Sequence, residues 1–205
     1  MIILFGPAGS GKSSQGRLLA DRYGWKWLSV GQVLRETGKF DEILKNGELV
    51  DDAIVVDLME REITRADDEG MDVILDGFPR DEKQAKIMVR EKRILDEVEL
   101  AIILKVPKEE LMERIEERGR SDDTAEVIEK RLAIYEDNIG KILPILEKGG
   151  IEILEVDGVG TIDEVAERIE KVVLMKKPDA VRVFDNDSKD VIENDSNLRE
   201  ESYGE

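Results

Sequence analysis

The 205-residue chain contains neither cysteine nor histidine. Those two absences together remove disulfides, Cys/His zinc sites, thiol nucleophiles and imidazole acid–base chemistry. Any chemistry must rest on carboxylates, hydroxyls, lysines and arginines. Aromatic residues make up only 4% of the chain, and no apolar stretch approaches the roughly 20 residues that span a bilayer. The first apolar run begins at Met1, so neither a secretory signal nor a membrane anchor is visible and a cytoplasmic protein is expected. Basic residues are also outnumbered, giving a formal net charge of −18. That balance argues against nonspecific binding to nucleic acid or to an anionic membrane, both of which need basic surface. A hydrophobic content of 40% at this length suits one ordinary globular domain, and nothing asks for more than a monomer.

Against that background stands one run of unusual density. Gly6-Pro7-Ala8-Gly9-Ser10-Gly11-Lys12-Ser13 matches G-x-x-x-x-G-K-[ST] without a break, directly after the apolar run Ile2–Phe5 and before a segment of helical period, Lys12–Arg22. The order strand, glycine-rich turn, helix is that of a phosphate-binding loop. Successive backbone N–H groups converge on one anion, and the positive end of the helix dipole adds to them. Lys12 is expected to reach the β- and γ-phosphates, and Ser13 to ligate Mg²⁺. An acidic protein that binds polyphosphates must gather its scattered cations into one cleft, so the placement of each arginine is informative.

Further apolar runs at Trp25–Val30, Val73–Leu75, Ala101–Val106 and Ile151–Val156 alternate with helical patterns at Asp52–Ala66, Glu82–Glu97, Lys108–Arg118, Thr124–Asn138 and Ile162–Val173. Such alternation predicts an α/β fold of the P-loop NTPase type, a five-stranded parallel sheet flanked by helices. The run Val73-Ile74-Leu75-Asp76 ends a strand in a carboxylate and leads into Gly77-Phe78-Pro79-Arg80. Ligands of open parallel sheets sit at the carboxyl ends of strands, which places Asp76 near the phosphate loop, where it could hold Mg²⁺ through water. Arg80 is expected to face the same cleft. After about Met175 the composition turns to Asp, Asn, Ser and Glu, and residues 176–205 read as an acidic, disordered tail. Within it, Val181–Phe184 is a candidate docking peptide.

The phosphate loop, Leu28-Ser29-Val30-Gly31-Gln32-Val33-Leu34-Arg35, Asp76-Gly77-Phe78-Pro79-Arg80, Gln84 and Gly119-Arg120-Ser121-Asp122-Asp123 together resemble the adenylate kinase family over residues 1–175. The Asp-Gly-Phe-Pro-Arg run is specific to that family and to its sister UMP/CMP kinases. The resemblance implies a core domain with an inserted monophosphate-binding segment (29–60) and a short lid (114–131), and Mg²⁺-dependent, reversible transfer from ATP to a nucleoside monophosphate. It implies that Gly9, Ser10, Gly11, Lys12, Ser13 and Ser14 wrap the ATP phosphates, with Arg118 and Gly160 also on the donor. It likewise assigns Val30, Arg35, Glu48, Leu49, Val50, Gly77, Phe78, Pro79, Arg80, Gln84, Arg120 and Arg131 to the monophosphate. Lys12, Arg80, Arg118, Arg120 and Arg131 become the catalytic cations, with Arg114 one helical turn before Arg118 as a further candidate. Asp122 and Asp123 fit as helix caps, Asp123 and Glu126 having capping-box spacing.

Three departures bear on the substrate. Val30 and Gln32 stand where adenylate kinases usually have threonine and aspartate, a change partly like UMP/CMP kinases. Gln84 pulls toward adenine, being able both to donate and to accept. Arg118-Gly119-Arg120 leaves a very brief lid, from which some ATP hydrolysis without acceptor is expected. AMP is the favoured acceptor, with UMP or CMP as the alternative. A P-loop kinase of small-molecule alcohols, with Asp76 as base, and a non-catalytic nucleotide-binding module remain open as other classes.

Overall fold

A computed structural model describes residues 1–46, 48–91, 97–119 and 124–180. The five apolar runs form strands β1 (Ile2–Phe5), β2 (Lys26–Ser29), β3 (Val73–Asp76), β4 (Leu100–Lys105) and β5 (Glu152–Asp157). They pair in parallel throughout, in the order β2-β3-β1-β4-β5. The helices are α1 (Lys12–Tyr23), α2 (Val30–Thr37), α3 (Asp41–Lys45), α4 (Asp52–Asp68), α5 (Glu82–Arg90), α6 (Lys108–Arg118), α7 (Ala125–Lys148) and α8 (Ile162–Lys176).

Because successive strand side chains point to opposite faces, β1 feeds two cores. Ile3 and Phe5 pack with Leu34 of α2, Val55, Met59 and Ile63 of α4, Ala85 and Met88 of α5, and Ile142 and Leu146 of α7. Ile2 and Leu4 pack with Leu19 and Tyr23 of α1 and with Val165, Ile169 and Val173 of α8. A sheet covered on both faces needs near-continuous apolar strands, which is why β1 and the first five residues of β4 are wholly buried. A smaller cluster joins Leu111 and Ile115 of α6 to Ile128 and Leu132 of α7, with Ala8 of the phosphate loop packed on it.

Several local expectations change. Val30 opens α2 instead of closing β2. This helix was hidden by Val30, Gly31 and Val33, all weak helix formers, and it forms because Val30 and Leu34 are buried. Helix α5 ends at Arg90, and residues 92–96 of the stretch expected to be helical as far as Glu97 lie outside the described residues. Helix α7 runs ten residues beyond Asn138, past Pro144, because Ile142 and Leu146 anchor it in the core at 2% and 0% exposure. Its N-cap is Thr124, whose hydroxyl accepts from Val127 N–H at 3.3 Å, so the cap falls one residue later than the expected Asp123.

The folded unit also extends past the expected boundary at 175. Lys176 is the last residue of α8. Lys177 Nζ pairs with Asp72 at 2.7 Å and Glu99 at 3.1 Å and lies 5.5 Å from the Trp25 ring centroid. The first residues assigned to the tail thus belong to the fold, since two carboxylates and an aromatic face hold them there. Residues 181–205, including Val181–Phe184, lie outside the described residues.

Candidate functional site

Strand β1 has β3 on one side and β4 on the other, so the turn leaving its carboxyl end lies where the chain's path reverses, the usual position for a ligand in an open α/β sheet. That turn is the glycine-rich run. Gly9 and Gly11 have φ of 84° and 87°, in the left-handed region that side chains rarely adopt, and Gly11 serves as N-cap of α1. A Cβ on Gly9 would also stand 2.7 Å from Leu111 O. Helix α1 has no acidic residue in its first turn, leaving its positive end uncompensated by its own side chains. Lys12 Nζ folds back to donate to Pro7 O at 3.2 Å.

Across the cleft, β3 ends at Asp76, which is 2% exposed. Ser13 Oγ donates to Asp76 Oδ2 at 2.6 Å, so the first turn of α1 and the end of β3 are tied by a hydroxyl and a carboxylate. After Asp76 the chain turns through Gly77 and a cis Phe78–Pro79 peptide. Arg80 then curls back, its Nε donating to Gly77 O at 2.9 Å. Arg35 reaches the same place from α2: a Cβ on Gly31 would meet Arg35 Nη1 and Nη2 and Arg80 Nη2, each at 3.5 Å. Burial pulls the Arg80 guanidinium below its ordinary pKa, the neighbouring Arg35 and Arg131 push the same way, and Asp76 opposes them. Three mutually repelling cations beside one carboxylate are a site that a phosphate dianion would relieve.

The cleft is lined by Gly6, Lys12, Ser13, Gly31, Arg35, Glu48, Leu49, Asp76, Gly77, Pro79, Arg80 and Arg131, among others. Most of the expected acceptor-side residues therefore share one cavity. Val30, Val50 and Phe78 do not line it: they are 1%, 5% and 1% exposed and belong to the core behind its wall. Gln84, expected at a base edge, is 1% exposed. Its Oε1 accepts from Arg80 N–H at 2.8 Å and its Nε2 donates to Asp52 Oδ1 at 3.0 Å. Gln32 instead bridges Arg17 and Glu36. Gly160 lies apart from this cavity, in the turn before α8. Arg114 donates from Nε to Glu110 at 2.9 Å, with Nη1 3.9 Å from where a Cβ on Gly11 would stand, and so overhangs the phosphate loop. The Arg118 side chain, Arg120, Asp122 and Asp123 lie outside the described residues.

One wall was not foreseen. Ile134, Tyr135, Asn138, Ile139 and Ile142 of α7 line the cleft together with Leu44 of α3. Arg131, Tyr135, Asn138 and Ile142 follow a spacing of four, three and four, so the helical face that begins at Arg131 carries the signal. Burial and the charge of Glu155 push the Tyr135 phenol up to about 12. Arg131 Nη2 donates to Leu44 O at 3.1 Å, and Lys130 pairs with Glu48 at 3.1 Å, tying α7 to the segment between α2 and α4.

A glycine-rich backbone turn at a helix N-terminus on one wall and gathered guanidinium groups on another suit phosphorylated ligands, which puts the chain among the phosphate-loop phosphotransferases. The family model for adenylate kinase matches residues 4–151, and the chain belongs to the adenylate kinase family. It is 41% identical over 180 residues to the adenylate kinase of Maricaulis maris, covering 80% of this chain and 94% of the relative. It is 37% identical over 188 residues to the adenylate kinase of Porphyromonas gingivalis, covering 84% and 94%. The adenylate kinase of Prochlorococcus marinus is 35% identical over 181 residues, covering 84% and 97%. The chain is thus an enzyme of nucleoside monophosphate phosphoryl transfer. No helix among the described residues is long and apolar enough to cross a membrane.

Proposed function

We propose that the enzyme transfers the terminal phosphoryl group of ATP reversibly to AMP, giving two ADP. The observation that carries this reading is the gathering of Arg35, Arg80 and Arg131 beside Asp76, on the β2–β3 side of the phosphate loop. One bound triphosphate does not call for that much additional positive charge, whereas a second, monophosphate ligand does. In this reading residues 29–60 are the monophosphate-binding insertion and 114–131 the short lid. The phosphate-loop amides and Lys12 hold the donor, Arg35, Arg80 and Arg131 hold the acceptor, and Arg118 and Arg120 close from the lid.

The acceptor needs no general base. A phosphate monoester with a second pKa of about 6 is already a dianion at neutral pH, so the absence of histidine is no obstacle. What remains is alignment and charge neutralisation, because phosphoryl transfer proceeds in line with negative charge spread over the equatorial oxygens. Lys12 and the guanidinium groups supply both. The Ser13 hydroxyl and Asp76 carboxylate are hard oxygen donors of the kind Mg²⁺ prefers, so they fit the ion that accompanies ATP. Ser13 directly and Asp76 through water would hold it, and its contribution would be charge neutralisation on the donor phosphates.

A second reading, a UMP/CMP kinase, is favoured by Gln84, whose two amide poles are engaged within the protein rather than directed into the cleft. ADP formation from ATP alone, and from ATP with AMP, CMP, UMP, GMP or a sugar alcohol, tests both. AMP is expected to give the highest kcat/KM, with slow ADP release from ATP alone. A rate indifferent to every monophosphate would overturn the proposal.

A further inference from the structure

Arg168, on the second turn of α8, reaches back to the turn that precedes its own helix. Its Nη1 donates to Asp157 O at 2.9 Å and to Val159 O at 2.6 Å. The guanidinium also lies 3.7 Å from Asp157 Oδ2, while Asp157 Oδ1 accepts Val159 N–H at 3.0 Å. The same turn is fixed from two further directions. Gly158 N–H donates to Lys105 O at 2.9 Å, and Glu164 Oε2 accepts Thr161 N–H at 2.8 Å. Holding a surface turn this firmly costs conformational entropy, and the connection of a strand to a helix does not require it.

Its location gives the reason. Arg35 and Arg80 follow β2 and β3, on one side of β1 and its phosphate loop. In-line transfer places the departing diphosphate, and so the donor nucleoside, on the opposite side of the reacting phosphorus. That side is the carboxyl end of β4 and β5, where the 157–161 turn lies. The turn is joined to the phosphate-loop helix, since Gln15 Nε2 of α1 donates to Ile162 O at 2.8 Å. A Cβ on Gly160 would stand 3.6 Å from Arg168 Nη2, so the guanidinium backs the turn along most of its length.

We infer that Arg168 is a positioning residue for the donor nucleoside, holding the 157–161 turn as the wall on which the base and ribose of ATP rest. The inference rests on the proposed ATP-dependent transfer, yet its test needs no turnover. Isothermal calorimetry of the full chain compares ATP with inorganic tripolyphosphate, which has the phosphates and lacks the nucleoside. Arg168→Met keeps the stem without the donors, and Arg168→Lys keeps donors and charge on a single nitrogen. Arg168→Met is expected to weaken ATP about tenfold while leaving tripolyphosphate unchanged, and Arg168→Lys to recover part of the loss. In turnover assays KM for ATP rises and KM for AMP does not.

An unchanged affinity for ATP, or an equal loss for both ligands, overturns the inference. Should Arg168→Met fail to fold, the ratio of ATP to tripolyphosphate affinity in Arg168→Lys decides in the same way. A parent chain that binds ATP but phosphorylates no acceptor would defeat the transferase proposal and leave this ratio to be judged separately.

Discussion

Ser13 and Asp76, 63 positions apart in sequence, are joined by a 2.6 Å hydrogen bond from the Ser13 hydroxyl to the Asp76 carboxylate. It fastens the first turn of α1 to the carboxyl end of β3, the two elements between which a nucleotide's phosphates would lie. Asp76→Ala leaves the hydroxyl without that acceptor and removes the buried negative charge among the arginines. Turnover should fall at least a hundredfold, on the scale of losing one preorganised electrostatic group. Raising Mg²⁺ should restore only the part of the loss that comes from weaker ion binding. Steady-state rates over a Mg²⁺ series check this, and full recovery at high Mg²⁺ would contradict the electrostatic share.

Lys12→Met should lower turnover by about 10³ to 10⁵, the range a transition-state cation supplies. Lys12 opens α1 and belongs to none of the apolar clusters, so the thermal midpoint should stay within a few degrees of the parent. Near-parental rates would remove Lys12 from the mechanism.

Arg35→Ala and Arg131→Ala separate binding from folding. Arg35 is exposed and pushes against the neighbouring Arg80 guanidinium, so its loss should change stability by no more than about 0.5 kcal/mol. KM for AMP should nevertheless rise tenfold or more. Arg131→Ala also removes the contact to Leu44 O and should affect kcat as well as KM. Initial rates with AMP varied at saturating ATP distinguish the two patterns.

Asp81 and Asp52 share a hydrogen bond between α5 and α4. Burial and that bond push Asp81 above the usual carboxylate range, whereas Asp52, accepting from Asp81, is held below it. The two titrate as a pair. A carboxyl raised in the folded state binds more protons folded than unfolded, so its contribution weakens as pH climbs from the unfolded value, about 3.9, through the folded one. Asp81→Asn keeps an oxygen for the N–H groups of Lys83 and Gln84 and offers Asp52 a permanent donor. Its thermal midpoint should gain on the parent as pH rises from about 4 to about 7. A variant that loses ground over that interval would refute the pairing.

Glu170 joins α8 to α1 through Arg22, at 3.2 Å and with side-chain exposures of 4% and 18%. Arg22 is held on its other side by Asp163 at 3.1 Å. Glu170→Ala leaves a largely buried guanidinium short of its partner and should cost about 3 kcal/mol. Urea unfolding measures it, and a loss below about 1 kcal/mol would place the pair with weak surface bridges.

The sheet was legible in the sequence because all five strands are apolar runs bounded by turns, and Gly6–Ser13 fixes which strand comes first. Within the cation cluster Arg80 was legible for the same kind of reason, being tied to Asp76 within one short run, whereas Arg35 and Arg131 lie far off in sequence and were reached only through the family resemblance. Helix α2 was not legible, because weak helix formers occupy its first turn and only tertiary burial of Val30 and Leu34 makes it form. Gln84 could be recognised as polar and well placed, but its partners, Asp52 and the Arg80 backbone, depend on how α4 meets α5. Of the Tyr135–Asn138–Ile142 wall, Ile142 was hidden by Gly140 and Pro144, which suggest an earlier end to α7 than the buried Ile142 and Leu146 allow. Tyr135 and Asn138 lay inside the expected helix, but that their face turns to the cleft depends on how α7 packs on the sheet.

Helix α7 is pinned in the core at Ile142 and Leu146, while Arg131 and Lys130 grip the opposite segment near its start. Its register is therefore independent of how many residues connect Gly119 to Thr124. That connection is a natural splice point: grafting a longer covering domain there should tune how well solvent is kept from the reaction, without re-aiming the guanidinium that α7 carries.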